Sequence, residues 1–407
     1  MIPIRPVGLQ AIPRNVVDSY LKPGLLNLSA LPPLSLYVHF PWCVRKCPYC
    51  DFNSHEAGNE LPEQAYLSAL RADLEQSLPL IWGRKIVSIF IGGGTPSLMS
   101  AAGLDQLMSD IRSLLPLEPS AEITMEANPG TFEAEKFRSF ASSGINRLSI
   151  GIQSFNDKHL KALGRIHDAD EAWRAITIAK NSFENINLDL MFALPEQTLA
   201  ESELDVNTAL SFEPTHLSLY HLTMEANTVF AKYPPELPDD DTSAAMQQML
   251  IEKTTAAGFQ NYEISAYARE GRRAKHNLNY WEFGDYLGVG AGAHSKISFP
   301  HRVIRQARYK QPDSYMQQAS KGNAVSEEAE INREDLGFEF MINALRLSDG
   351  FEVRQFSERT GLTLQVVESA LNKAEAKGLL YRDYLKIAPT SLGRRFLNDL
   401  QQIFLPD

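Results

Sequence analysis

Three cysteines, Cys43, Cys47 and Cys50, carry the most legible chemistry in this 407-residue sequence. They are its only cysteines and share one stretch, YVHFPWCVRKCPYCDFNSH. An odd number packed this tightly cannot form a disulfide framework. Thiols that merely fill a core scatter through it as small hydrophobes. Three in one loop point to a metal centre in a reducing compartment, with the cytoplasm as the default. Two centres stay open at this point. Thiolates hold iron–sulfur clusters, where four are usual and three leave one iron for the amine and carboxylate of a small ligand. Zinc would instead recruit His39 or His55 into a Cys3His site.

Other candidates follow the cysteines in order. An apolar run at Ile86–Ile91 enters GGGTP, with Gly93, Gly94 and Thr95. Glycines there let a backbone come close to a ligand, although the same residues also make a plain turn. Next come Glu126 in MEANP, Gln153 in GIQSF, Arg165 in LGRIH and Asp189 in LDLMFALPEQT. A lone polar residue in a strand is usually a satisfied core group. The weight lies in their succession. Further on, KHNLNYW supplies His276, Asn277 and Tyr280, and His and Tyr are both competent axial ligands for haem iron. Around them, residues 269–310 carry nine Lys or Arg against three acids. That excess reads either as a solvated face or as partners for ligand carboxylates.

The elements that must position these residues alternate in type. Strands are expected at Ser35–Phe40, Ile86–Ile91, Ile123–Glu126, Arg147–Ile152, Ile186–Phe192 and His216–His221, each apolar and nearly uncharged. Helices are expected between them, at Pro62–Leu80, Leu104–Leu114, Glu133–Ser142, Ala169–Lys180 and Glu201–Phe212. Six βα units make an α/β fold, either a partial (β/α)6 barrel or an open doubly wound sheet. Polar residues at the ends of successive strands favour the barrel. The expected organisation is an extended lead-in over 1–34, a barrel core over 35–238 and an extension over 239–330. This extension holds a helix, a short strand near Tyr262–Ser265 and the glycine-rich GVGAGAHS. A winged-helix-like domain over 331–407 completes the chain, with three helices, a hairpin around Tyr381–Ile387 and a last helix.

Composition sets limits. A formal net charge of -11 argues against a general nucleic-acid binder, which needs a basic footprint. Hydrophobic content of 44% and charged content of 22% are those of an ordinary soluble protein. No apolar run approaches the roughly 20 residues that span a bilayer, and no signal peptide is evident.

The CxxxCxxC spacing, with Tyr49 just before the last cysteine, resembles the signature of the radical S-adenosylmethionine (SAM) superfamily. Together with GGGTP, MEANP, GIQSF, LGRIH and LDLMFALPEQT, it is similar to the coproporphyrinogen III oxidase-like branch. It resembles the HemW haem chaperones more closely than the oxidases, over nearly the whole chain from Leu36 onward. The resemblance implies a [4Fe–4S] cluster on Cys43, Cys47 and Cys50, whose fourth iron is chelated by SAM. Electron transfer from such a cluster breaks the sulfonium bond and yields a 5′-deoxyadenosyl radical. The implied cofactor contacts are Tyr37, Tyr49, Gly93, Gly94, Thr95, Glu126, Gln153, Arg165 and Asp189. The HNxxY segment implies haem contacts at His276, Asn277 and Tyr280. Oxidases of this branch add a fourth cysteine two places after the third, where this chain has Phe52. Three functions therefore compete: a haem chaperone passing haem from a donor to an acceptor protein, an oxygen-independent coproporphyrinogen III oxidase of porphyrin biosynthesis, and a zinc-bearing interaction protein. The resemblance also permits a homodimer and peripheral contact with a membrane-bound acceptor.

Overall fold

The computed structural model describes residues 26–406 except 59, 82 and 131–133. Of the expected lead-in, residues 1–25 lie outside the described residues. One twelve-stranded sheet organises the chain. Its strands are β1 (Leu34–Phe40), β2 (Ile86–Gly93), β3 (Leu117–Ala127), β4 (Arg147–Gln153), β5 (Ile186–Phe192), β6 (His216–His221), β7 (Gln260–Asn261), β8 (Ala266–Ala268), β9 (Asp285–Val289), β10 (His294–Phe299), β11 (Arg302–Arg308) and β12 (Val325–Glu330). The spatial order is β12-β11-β10-β9-β1-β2-β3-β4-β5-β6-β8-β7. From β9 to β6 every pair is parallel. Beyond those limits pairing is antiparallel.

The six expected strands are β1 to β6. β1 reads LSLYVHF and is buried at every position but Tyr37, as a parallel strand covered on both faces must be. Helices Glu63–Ile81, Ala101–Leu114, Ala134–Ser142, Ala169–Lys180 and Leu199–Ser211 cross between successive strands. Two of them open with capping boxes, Asp168 with Glu171 and Thr198 with Glu201, which satisfy N–H groups that have no partner inside the helix. Leu36, Val38, Ile89, Ile91, Ile150 and Leu188 lie in the main core that these helices share with the sheet.

The extension departs from expectation. The strand expected near Tyr262–Ser265 forms at Ala266–Ala268 instead. Glu263 accepts from the amide and hydroxyl of Ser265, while Asn261 donates to the Glu263 carbonyl, so the expected segment is a turn. GVGAGAHS is divided between the end of β9, a turn and the start of β10. β9 is a seventh parallel strand, added to the free edge of β1.

A second core gathers Phe340, Phe351, Phe356, Leu371, Ile387 and Leu400. Helices Leu336–Ala344, Val353–Thr360 and Glu368–Ala376 pack there with a sheet of Phe351–Glu352, Lys386–Pro389 and Leu380–Arg382. The three expected helices and the hairpin strands are present, with a third strand added and the final helix split into Ser391–Arg395 and Leu397–Gln402. Leu28, Phe283 and Val303 also join this core, which ties it to the sheet.

Candidate functional site

The C-terminal ends of the parallel strands line one cavity of about 930 Å³. Its wall contains Cys43, Cys47 and Cys50, then Tyr37, Tyr49, Gly93, Gly94, Thr95, Glu126, Gln153, Arg165 and Asp189, and finally His276, Asn277 and Tyr280. The fold therefore brings together every cluster, cofactor and haem candidate read from the sequence, while His39 and His55, the zinc candidates, line a second cavity.

The cysteine loop is pinned at both ends. Trp42 and Cys43 pair with His55 and Glu56 in a two-residue parallel ladder. Between these ends, Asn53 donates to the carbonyls of Ala291 (2.9 Å) and Lys310 (2.8 Å), fixing the loop to the glycine-rich turn after β9 and to the segment after β11. His39 is held neutral because burial lowers its pKa to about 4. Its Nε2–H donates to the Asn53 carbonyl (2.9 Å), so Nδ1 accepts from the Tyr37 hydroxyl (2.8 Å). Both ring nitrogens are thus committed, which removes His39 as a zinc ligand. Among the described residues no three or more His, Cys, Asp or Glu, His55 included, gather into a single-ion site. Burial raises the Cys43 and Cys50 thiols above their ordinary value. Thiols in this setting give up their protons to a bound metal centre rather than to solvent. Three sulfur donors on the cavity wall fit a cluster.

The strand ends supply the opposite charge logic. At Gly93 (φ 114°) a Cβ would lie 2.5 Å from the His39 ring, so only glycine fits. Its N–H donates to Glu126 at 3.0 Å. Burial, reinforced by Asp189, pushes Glu126 up to about 8. Asp189 is also raised by burial, although Ser149 (2.8 Å) and Asn187 (2.8 Å) donate to it. Two buried carboxylates facing one cavity suit a cationic ligand group. Arg165 donates to Asn128 (2.7 Å) and the Gly151 carbonyl (2.8 Å), with Nη1 3.7 Å from Cys47 Sγ. Gln153 has φ 69°, an uncommon conformation for a side-chain-bearing residue and one that strands tolerate where function requires it. Tyr49 packs on Phe230 with ring centroids 6.3 Å apart.

KHNLNYW forms the helix Lys275–Trp281. His276 Nδ1 lies 3.1 Å from Glu122 Oε1. A carboxylate can only accept, so the ring donates from Nδ1, which makes Nε2 the unprotonated nitrogen of a residue on the cavity wall. Phe90 stacks on the imidazole at 4.4 Å. Asn277 donates to the Tyr262 hydroxyl at 3.4 Å, and Tyr280 meets Tyr286 edge-on at 4.8 Å. A second cavity of about 880 Å³ shares Tyr37, Phe90, Gly93, Glu126 and Tyr280 with the first and adds Tyr286, His294 and Lys310.

Part of the basic stretch is committed to ion pairs within the chain, whereas Arg272, Lys275 and Lys310 are exposed. Arg308 pairs with Asp73, Lys296 with Asp285, Arg305 with Glu339 and Arg273 with Asp349. Sequence reasoning also missed Asn53, Glu122, Asn128 and Arg147. Only Arg147 left a signal, a charge at the head of the apolar run RLSIGIQ.

Comparison with known proteins agrees with this geometry. Residues 37–207 match the Radical SAM superfamily and residues 331–396 the HemN C-terminal domain. The solved coproporphyrinogen III oxidase (HemN) from Escherichia coli superposes with a TM-score of 0.79 at 23% identity, over 96% of this chain and 93% of that one. At that identity the likeness is one of fold. Fold and site together define a radical SAM protein.

Sequence relatives narrow this further. The heme chaperone HemW of Escherichia coli is 46% identical over 93% of this chain and 99% of its own length. HemW of Bacillus subtilis is 36% identical over 91% and 99%. The chain belongs to the heme chaperone HemW family.

Proposed function

We propose that the protein carries haem, together with a [4Fe–4S] cluster and SAM, and hands haem to an acceptor protein. Cys43, Cys47 and Cys50 hold the cluster. Glu126 and Asp189 receive the cofactor's ammonium and ribose hydroxyls, Arg165 its carboxylate, and Gly93, Gly94 and Thr95 offer backbone groups to the amino end. Tyr37 and Gln153 complete that wall, and Tyr49 packs beside the adenine. When bound, cluster and SAM supply one-electron reducing chemistry at a sulfonium centre. His276 Nε2 ligates the haem iron, with Tyr280 as the second iron-facing group and Asn277 bracing the helix through Tyr262.

One observation carries this reading. The His276 imidazole is fixed by a carboxylate on Nδ1, and the residue lines the cavity that also contains the cysteine loop. Metal-ligating histidines are commonly oriented in this way. Reduced thiols favour a cytoplasmic setting, and among the described residues no helix is long and apolar enough to cross a membrane. The partners are then haem donor and acceptor proteins, not nucleic acid. The oxidase alternative is disfavoured by Phe52, which stands 57% exposed between the cavities in place of a fourth thiol.

A paired assay tests the proposal. The anaerobically reconstituted protein should take up haem stoichiometrically, and reduced protein given SAM and coproporphyrinogen III should form no decarboxylated product. Turnover without stable haem uptake would reverse the assignment.

A further inference from the structure

Arg147, the first residue of β4, is 2% exposed, yet its guanidinium has no hydrogen-bond acceptor among the described residues. Its Nε is buried and unpaired. The nearest carboxylate oxygen, Glu122 Oε2, is 4.0 Å away, beyond hydrogen-bonding distance. Glu122 is already engaged through Oε1, which accepts from the Lys275 amide (2.9 Å) and from His276. Asp189 accepts from Ser149 and Asn187 and makes no hydrogen bond with Arg147. Arginine does not shed its proton in proteins, so burial cannot neutralise it. A fold that withdraws this planar donor group from solvent without an acceptor has left its partner to something outside the chain. Arg147 lines the large cavity, so that partner arrives there.

We propose that Arg147 is the receptor for a ligand carboxylate, bound through paired N–H···O contacts from the guanidinium edge. The identity of the ligand rests on the haem-carrier reading. Two ligands of that reading bear carboxylates, haem through its propionates and SAM through its amino-acid end. The surroundings favour haem. Glu122 links Arg147 to His276, placing this donor group beside the proposed iron ligand, whereas Arg165 stands at Cys47 near the proposed cluster.

The test uses the full chain, anaerobically reconstituted, as wild type, Arg147→Met and Arg147→Lys. Binding is measured for haem, haem dimethyl ester, SAM and decarboxylated SAM. Arg147→Met should weaken haem at least tenfold, leave the diester and SAM unchanged, and be partly rescued by Arg147→Lys. Weakening of SAM instead of haem would support the receptor and assign it to the amino-acid carboxylate. Unchanged affinity for both in a folded variant overturns the proposal and leaves Arg147 a buried cation solvated by water. Should Arg147→Met fail to fold, wild type decides alone. Equal affinities for haem and its diester then overturn the proposal, since any preference of wild type for SAM over its decarboxylated form is already expected from Arg165. Failure of wild type to bind haem at all sinks the haem-carrier reading, while the SAM affinity of Arg147→Lys against wild type still tests Arg147.

Discussion

Arg308 and Arg147 are both withdrawn from solvent on the same sheet, and their surroundings are opposite. Arg308, at the end of β11, donates to Asp73 through Nε and Nη2, to Ser77 through Nη2, and to Ser295 and Gln306 through Nη1. Asp73 in turn accepts from the Tyr315 hydroxyl (2.9 Å) and lies 3.3 Å from the Gly290 amide. That network joins helix Glu63–Ile81 to β10, β11 and helix Pro312–Ala319. Arg147 has no such partners. Buried acids divide in the same way. Asp285 accepts from Arg84, Lys296 and Ser298, whereas Glu126 has one donor, the Gly93 amide. Polar groups at the β9–β12 side of the sheet are satisfied within the chain and act as joints. Arg147 and Glu126, on the wall of the large cavity, leave bonding capacity for something that binds.

The sharpest break of this comparison is at the cysteines. Replacing any one of Cys43, Cys47 or Cys50 with Ala should abolish the cluster, read as loss of the broad visible absorption after anaerobic reconstitution, without unfolding the chain. A variant that still assembles a four-iron centre would mean the sulfurs are not a set. Next in size, Arg308→Met should cost ~3–5 kcal/mol in urea denaturation of the apo protein, because it strands Asp73 in the interior. Arg147→Met should cost less than about 1 kcal/mol, since it removes a charge with no hydrogen bond of its own. Equal costs would erase the distinction.

Glu126 gives a pH-dependent version. Its folded value is about 8 against 4.5 for an unperturbed carboxyl, so the folded chain holds a proton that the unfolded chain has released. Stability from this group is present below about pH 4.5 and is lost as pH rises to about 8. Glu126→Gln should flatten that part of the apo stability profile by a few kcal/mol, and SAM should do the same for wild type. Superimposable profiles for variant and wild type would exclude Glu126 as a cation receptor. The smallest effect belongs to Asn53→Ala. The fold should melt unchanged while the cluster bleaches several-fold faster in air, since two of the tethers on its loop are gone; an unchanged rate would make the clamp irrelevant.

Much of this was legible in residue order. Apolar runs such as LSLYVHF and INLDLMF announce buried parallel strands, and all six fall where the pattern puts them. The site was legible because CxxxCxxC, GGGTP, Glu126 and Gln153 follow a strand or lie at its end, and parallel strands bring such ends to one edge, with Asp189 midway along β5. What stayed hidden depends on long-range pairing. β9 is a short DYLGV segment whose place beside β1 no local pattern dictates. The roles of Glu122 and Asn53 come from contacts 154 and more than 230 residues away in sequence. Basic residues at 269–310 looked available because their partners, Asp73 and Glu339 among them, lie in other elements. Arg147 is the reverse case, a charge whose lack of a hydrogen-bond acceptor only the packed structure reveals.

The most direct measurement is anaerobic haem titration of the wild type and of a His276→Ala, Tyr280→Phe double variant. If His276 Nε2 is the iron ligand, wild type will give a saturable one-to-one Soret change and the double variant will lose it or bind at least tenfold more weakly. Identical spectra and affinities would contradict the account at its centre.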